Sequence, residues 1–270
     1  MGCKTLNFPV FPQFFHCKTL AVNTALNTAD DFSSDILTAS AYLTRPAFAW
    51  MPLEKSRRGS TLQTLFGFRP LDVEHGFGRF RDIGFTPAMT EAFQAARVYT
   101  RIAEGYIQGS LTKPDLTLIV DQRNLVHYAL LSLPSSTLSH QTTYEASRLA
   151  ALIYGVGVIF PLPSGSTPLP ELSRHLQTAL HLPTSPSMWT SPEASIALLW
   201  ILTLGAIAAE TVPERRTWFI SALGHTARRN RISSWSDLRN AVASVLWFGA
   251  ACDEPGRKVW SEVERFVFGV

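Results

Sequence analysis

Metal binding is the first chemistry that the residue types raise. Cys17 adjoins His16, but the chain has no Cys-x-x-Cys and no His-x-x-x-His pair, and Cys252 lies far away. A zinc site needs several such donors at close spacing, so none is expected. Asp30-Asp31-Phe32-Ser33-Ser34-Asp35 gathers three acids that could hold magnesium. Carboxylates at a helix start also act as caps and dipole partners, and that role is the expectation here. Gly76-Phe77-Gly78 is too short for a phosphate loop, and neither Gly-x-Ser-x-Gly nor His-Glu-x-x-His occurs. The residues therefore predict no catalytic, cofactor-binding, metal-binding or DNA-binding site, and no enzyme.

Charges inside apolar stretches say more. Arg123 stands among Ile119, Val120, Val126 and Leu130, while Glu145 and Arg148 run into Leu149-Ala150-Ala151-Leu152-Ile153. A charge at such a position must be paired or reach water, because unpaired burial costs about several kcal/mol or more. A functional polar pocket and a structural ion pair both fit. The structural reading is favoured, with Arg123, Glu145, Arg148 and Asp121 as the ion-pair candidates.

The elements that carry these residues are organised around Ser195 to Ala209, fifteen residues without a charge. Ser191-Pro192-Glu193 supplies an N-cap, a first-turn proline and a first-turn acid. A helix apolar on every side belongs in a core or a bilayer, and a span needs about 20 apolar residues. The run is short of that, so it predicts a central buried helix. Around it, caps, prolines and glycines delimit helices over 86–108, 114–131, 139–159, 169–180, 213–229, 234–248 and 253–268. No period-2 pattern bounded by hairpin turns occurs, so the expected fold is all-α, one irregular bundle of about eight to ten helices.

The organisation divides at residue 84. Residues 1–84 read as an irregular, variable segment with one or two short helices, and 85–270 as the helical domain. Met1-Gly2-Cys3 begins like a dual-acylation signal, but the sixth residue is Leu6 and Thr5 falls one place early, so an aromatic-containing arm is expected instead. Across 270 residues, 46% hydrophobic and 17% charged composition suits a well-filled core, and a net charge of +3 does not mark a nucleic-acid binder. Three cysteines cannot form a secreted disulfide framework, which favours a reducing, intracellular compartment. Lys55-Ser56-Arg57-Arg58 and Arg228-Arg229-Asn230-Arg231 are the basic clusters, explained by a solvated loop and a helix C-terminus.

Five segments, in order, resemble the fungal-specific transcription factor domain, the regulatory region of fungal zinc-cluster transcription factors. They are LIVDQRNLVHYALLSLP (118–134), YEASRLAALIYGVGVIFPLP (144–163), LLWILTLGAIAAETVPERRTWF (198–219), SWSDLRNAVASVLW (234–247) and ACDEPGRKVWSEV (251–263). Trp200, Trp218, Trp235, Trp247 and Trp260 match the pattern and are assigned to core packing. The resemblance implies an all-helical, effector-responsive transcriptional regulator acting through protein partners, located in the nucleus and secondarily in the cytoplasm. The family's six-cysteine zinc cluster is absent, so no sequence-specific contact with nucleic acid is expected of this chain alone, and no cofactor. Two other readings remain: a peripheral-membrane helical protein, and an all-α metal-dependent lyase. The aspartate run resembles the magnesium motif of terpene synthases, although Asp35 falls one residue late and the second metal motif of those enzymes is missing.

Overall fold

The computed structural model describes residues 38–39, 76–109, 116–136, 141–161, 167–181 and 186–269, and among them there are helices and no strand. The amino-terminal arm with Cys3, His16 and Cys17, the aspartate run and the Lys55-Ser56-Arg57-Arg58 cluster lie outside the described residues.

Local side chains set where the main helices begin. Helix α1 (Pro87–Ile107) opens on Thr86, whose hydroxyl accepts the Met89 N–H at 3.2 Å, and Pro87 sits where its missing N–H costs nothing. Helices α2 (Leu116–Leu131), α3 (Thr142–Tyr154) and α4 (Leu169–His181) follow. Helix α5 (Pro192–Ala208) repeats the device of α1: Ser191 Oγ accepts the Ala194 N–H at 3.1 Å, just ahead of Pro192. Helices α6 (Pro213–Arg229), α7 (Trp235–Ala243) and α8 (Gly249–Val263) complete the set. A capping box starts α7, with Ser234 and Asp237 exchanging side-chain-to-backbone bonds of 3.1 Å each.

Helix α5 is the axis of the bundle. From Ala194 to Ala208 only Ile196 is less than buried, and α3, α4, α6, α7 and α8 all pack against it. A helix without a polar face is thus surrounded by protein. No helix among the described residues is long and apolar enough to cross a membrane. The core also includes residues before the helical domain expected from the sequence. Phe77 and Phe80, on and beside the 3₁₀ turn Gly78–Ile83, are fully buried and join Phe85 and Phe93 in a run of ring contacts reaching Trp200.

Three helices depart from the sequence-based boundaries, at two places. The α3 helix ends at Tyr154 and continues as a π turn, Gly155–Ile159. There a Cβ on Gly155 would lie 3.1 Å from the His127 ring and 3.2 Å from Leu130, so glycine lets α2 approach this turn. The second departure corrects the helices expected over 234–248 and 253–268. The first stops at Ala243, and the next starts at Gly249, four residues early, with Pro255 inside it. The five residues between them, 244–248, form a connector whose backbone groups are taken by side chains from other helices.

Candidate functional site

The polar residues singled out by sequence occupy two places. On α3, Arg148 and Glu145 form a two-pronged pair, Nη2 to Oε1 at 2.7 Å and Nε to Oε2 at 2.9 Å, with both side chains only 11–12% exposed. Three-residue spacing on a helix puts the two on one face, and the guanidinium fork matches the carboxylate. Glu145 Oε2 also accepts the Ser136 N–H at 2.9 Å, and the Tyr144 hydroxyl donates to the Pro134 carbonyl at 2.8 Å. The pair therefore fastens the α2–α3 loop to α3.

Arg123, on α2, is organised differently. It is buried, its guanidinium lies 4.3 Å from the centre of the Phe160 ring, and Nη2 makes a long 3.4 Å contact with Asn124 Oδ1. Among the described residues it meets no carboxylate, and its Nε has no acceptor. Arg123 thus makes a cation–aromatic contact with Phe160, which favours a guanidinium in an apolar pocket. Burial lowers the Arg123 pKa, with the nearby Tyr99 acting in the opposite direction. Fully buried His127, whose ring lies 5.4 Å from that of Phe160, is lowered to about 3, first by burial and then by the Arg123 charge. It is neutral at physiological pH. Asp121 sits on α2 where the backbone alone is described.

The five tryptophans hold helices together. Trp200, Trp247 and Trp260 are buried, whereas Trp218 and Trp235 are half-buried against the core. Trp260 donates to Glu264 Oε1 at 2.7 Å, and Trp218 lies against a tilted His181 ring and meets Phe219 edge-on. Gly256 on α8 meets Trp235 and Trp247 so closely that a Cβ there would lie 2.5 Å from the first and 3.0 Å from the second. Cys252 is buried, which pushes its thiol up to about 12 and leaves it a packing residue.

The most elaborate polar arrangement surrounds the connector at 244–248. Arg97 from α1 donates through Nη2 to the Ser244 and Val245 carbonyls at 2.6 and 2.8 Å, taking acceptors that the end of α7 leaves open. Arg79 adds a bond to the same Ser244 carbonyl at 3.1 Å. Trp200 Nε1 reaches the Leu246 carbonyl at 2.6 Å, and Glu104 Oε1 accepts the Gly249 N–H at 3.0 Å, at the start of α8. Asp253 then accepts from Arg239 Nε at 3.0 Å and from Trp247 Nε1 at 2.8 Å, tying α7 to α8.

These contacts enclose a cleft of about 310 Å³ with Arg97, Arg101, Glu104 and Arg239 on its walls. Of these, Arg239 is already paired with Asp253, and Glu104 accepts the Gly249 N–H. Arg97 is lowered to about 10, by burial first and then by the charges of Arg101 and Arg79.

Sequence reasoning missed this group. A signal was present: Arg97, Arg101 and Glu104 fall at helical spacing on one face of α1, and like charges four apart repel unless something pairs with them. The Arg228-Arg229-Asn230-Arg231 cluster ends α6, where Arg229 donates to the Trp189 carbonyl at 3.2 Å. Arg231 takes the left-handed conformation, φ 57°, as the Ile232 N–H returns to the Ala227 carbonyl at 2.9 Å. Among the described residues no three His, Cys, Asp or Glu side chains are grouped to hold a metal. No family model, curated protein or solved structure matches the chain.

Proposed function

We propose that this chain is a transcriptional regulator built as a helical bundle, acting in the nucleus through protein contacts and without a catalytic step of its own. The observation that carries the proposal is how the resemblance segments are used. Glu145 and Arg148 pair with each other, Trp200 holds the connector, and Asp253 joins Arg239 to Trp247. The residues behind the likeness to the fungal-specific transcription factor domain are thus the ones that shape a common scaffold around α5. Such a scaffold serves regulation by presenting surfaces and responding to what binds it.

Sequence-specific reading of DNA needs an element offered to a groove, and phosphate contacts alone carry no sequence information. On this reading DNA addressing comes from a partner. The test is a selection from random duplexes at physiological salt with the unfused chain, beside a reporter assay with the chain tethered to a foreign DNA-binding module. The expected result is no enriched sequence in the selection and altered output from the tethered reporter. Protection of a defined DNA site by the unfused chain would overturn the partner-dependent reading.

A further inference from the structure

We propose that Ser234 is a phosphorylation site for a protein kinase that selects arginines at the third and fifth positions before its acceptor, and that the modification rebuilds the head of α7. The proposal stands on the link between α6 and α7 and does not depend on the transcriptional reading above.

The basic cluster that closes α6 continues as Arg228-Arg229-Asn230-Arg231-Ile232-Ser233-Ser234. It places Arg231 three residues and Arg229 five residues before Ser234. Kinases directed to basic segments read such arginines with carboxylates, which match the guanidinium fork. Short spacings recur by chance, so the fold has to discriminate between them. Among the described residues an arginine stands three places before a serine or threonine twice, at Thr100 and at Ser234. Thr100 is buried within α1, its hydroxyl bonded to the Ala96 carbonyl and to the Tyr154 hydroxyl. Ser234 is half-buried in the short non-helical link 230–234, in a run where Arg228, Arg229, Arg231 and Ser233 are exposed. Its backbone is already extended, φ −139° and ψ 160°. Docking at Ser234 releases the 3.2 Å bond from Arg229 to the Trp189 carbonyl and opens the first turn of α7, a helix end whose opening is local.

In the transfer, Ser234 Oγ attacks the γ-phosphorus of a nucleoside triphosphate that the kinase holds with magnesium. The new Oγ–P bond replaces the bond from that phosphorus to the β-phosphate oxygen, and the nucleoside diphosphate leaves. The hydroxyl proton passes to the catalytic carboxylate of the kinase. The Ser234 hydroxyl is now the cap of α7, accepting the Asp237 N–H at 3.1 Å, while Asp237 Oδ2 takes the Ser234 N–H at 3.1 Å and the Ser233 N–H at 3.3 Å. A phosphoryl group puts nearly two negative charges at this helix start, where they suit the first-turn N–H groups but repel the Asp237 carboxylate. Asp237 then gives up the Ser233 and Ser234 N–H groups, and the arginine cluster loses most of its net charge.

The test is site-resolved mass spectrometry of the folded full chain after incubation with magnesium, a nucleoside triphosphate and a kinase of this class. Ser60→Ala serves as the background, because Arg57 stands three residues before Ser60 as well. Phosphate should appear on Ser234 and be absent at that position in Ser234→Ala. Arg231→Gly removes the nearer arginine at a left-handed position that glycine accepts, so the fold persists. It should slow modification of Ser234 about tenfold or more, as for one lost charge-assisted contact. Hydrogen exchange at the Ser233 and Ser234 amides should rise in the phosphorylated chain. The proposal is overturned if Ser234 acquires no phosphate, if the phosphate falls on Ser233 instead, if only the unfolded variant Trp200→Asp is modified, if Arg231→Gly is modified as fast as the background chain, or if phosphorylation leaves the two amides unchanged.

Discussion

Replacing Gly205 by alanine tests how tightly the Phe219 ring of α6 packs onto α5. Gly205 is buried on α5, and a Cβ added there would lie 2.3 Å from Phe219 Cε1 and 2.7 Å from both Cδ1 and Cζ. Carbon atoms rest at roughly 3.5 to 4.0 Å, so the ring would have to retreat by about 1 Å or more. It has little room, being fully buried on α6 and packed edge-on against Trp218 at 4.9 Å. Overpacking of this kind costs about 1 to 3 kcal/mol. Alanine returns up to about 1 kcal/mol through its better helix propensity. The net expectation is a loss of about 1 to 2 kcal/mol. Urea unfolding should show it as a lower midpoint at unchanged slope, by roughly 0.5 to 1 M for a slope near 2 kcal/mol per molar. Combining Gly205→Ala with Phe219→Leu should cost less than the sum of the single changes, since leucine vacates the contested space. Equal or greater stability of Gly205→Ala would refute the close α5–α6 contact.

The remaining expectations concern the polar contacts. Because the folded His127 pKa, about 3, lies below its unfolded value near 6.5, the unfolded chain takes up a proton first, so stability is full above neutrality and falls as pH drops through 6.5 towards 3. The loss should be on the order of 1 kcal/mol by pH 5.5, and His127→Gln should flatten that part of the stability profile; an unaltered slope in the variant would count against a buried neutral imidazole. Arg148→Met should lower stability by about 3 kcal/mol in denaturant melts, by stranding Glu145, and an unchanged melting temperature would mean that the pair contributes nothing. Trp200→Phe should cost about 1 to 3 kcal/mol by leaving the Leu246 carbonyl without its donor, with hydrogen exchange rising first in 244–248; uniform exchange across the bundle would contradict that role for the indole. Arg231→Gly should instead stabilise by about 0.5 to 1 kcal/mol, since glycine accepts the left-handed backbone freely; a destabilised variant would contradict this account of the end of α6.

What could be read from sequence was local. Thr86, Ser191 and Ser234 sit directly before their helices and cap them through their own side chains, so these starts were visible. The uniform apolarity of α5 announced its central position, because only a helix surrounded by protein tolerates that composition. The Glu145–Arg148 spacing also carried its own explanation. The end of α7 was hidden for the opposite reason. Val245, Leu246 and Trp247 continue the apolar pattern, and what stops the helix is Arg97, Trp200 and Glu104 arriving from α1 and α5. The start of α8, expected at 253, was hidden too, since it lies four residues earlier, where Glu104 meets the Gly249 N–H. Arg123 suggested a carboxylate partner, and only the folded chain brings the Phe160 ring over it.

The regulatory proposal is most directly tested by tethering the chain to a foreign DNA-binding module upstream of a reporter, with the module alone as baseline. Trp200→Asp serves as the unfolded control, because it puts an unpaired carboxylate at the fully buried centre of α5 at a cost of several kcal/mol, roughly the whole stability of many domains. The account predicts that the wild-type fusion changes reporter output at least about twofold, the smallest change that about 0.4 kcal/mol of recruitment would produce, and that Trp200→Asp returns it to baseline at matched expression. Baseline output from the wild-type fusion, or an equal change from the unfolded variant, would contradict it.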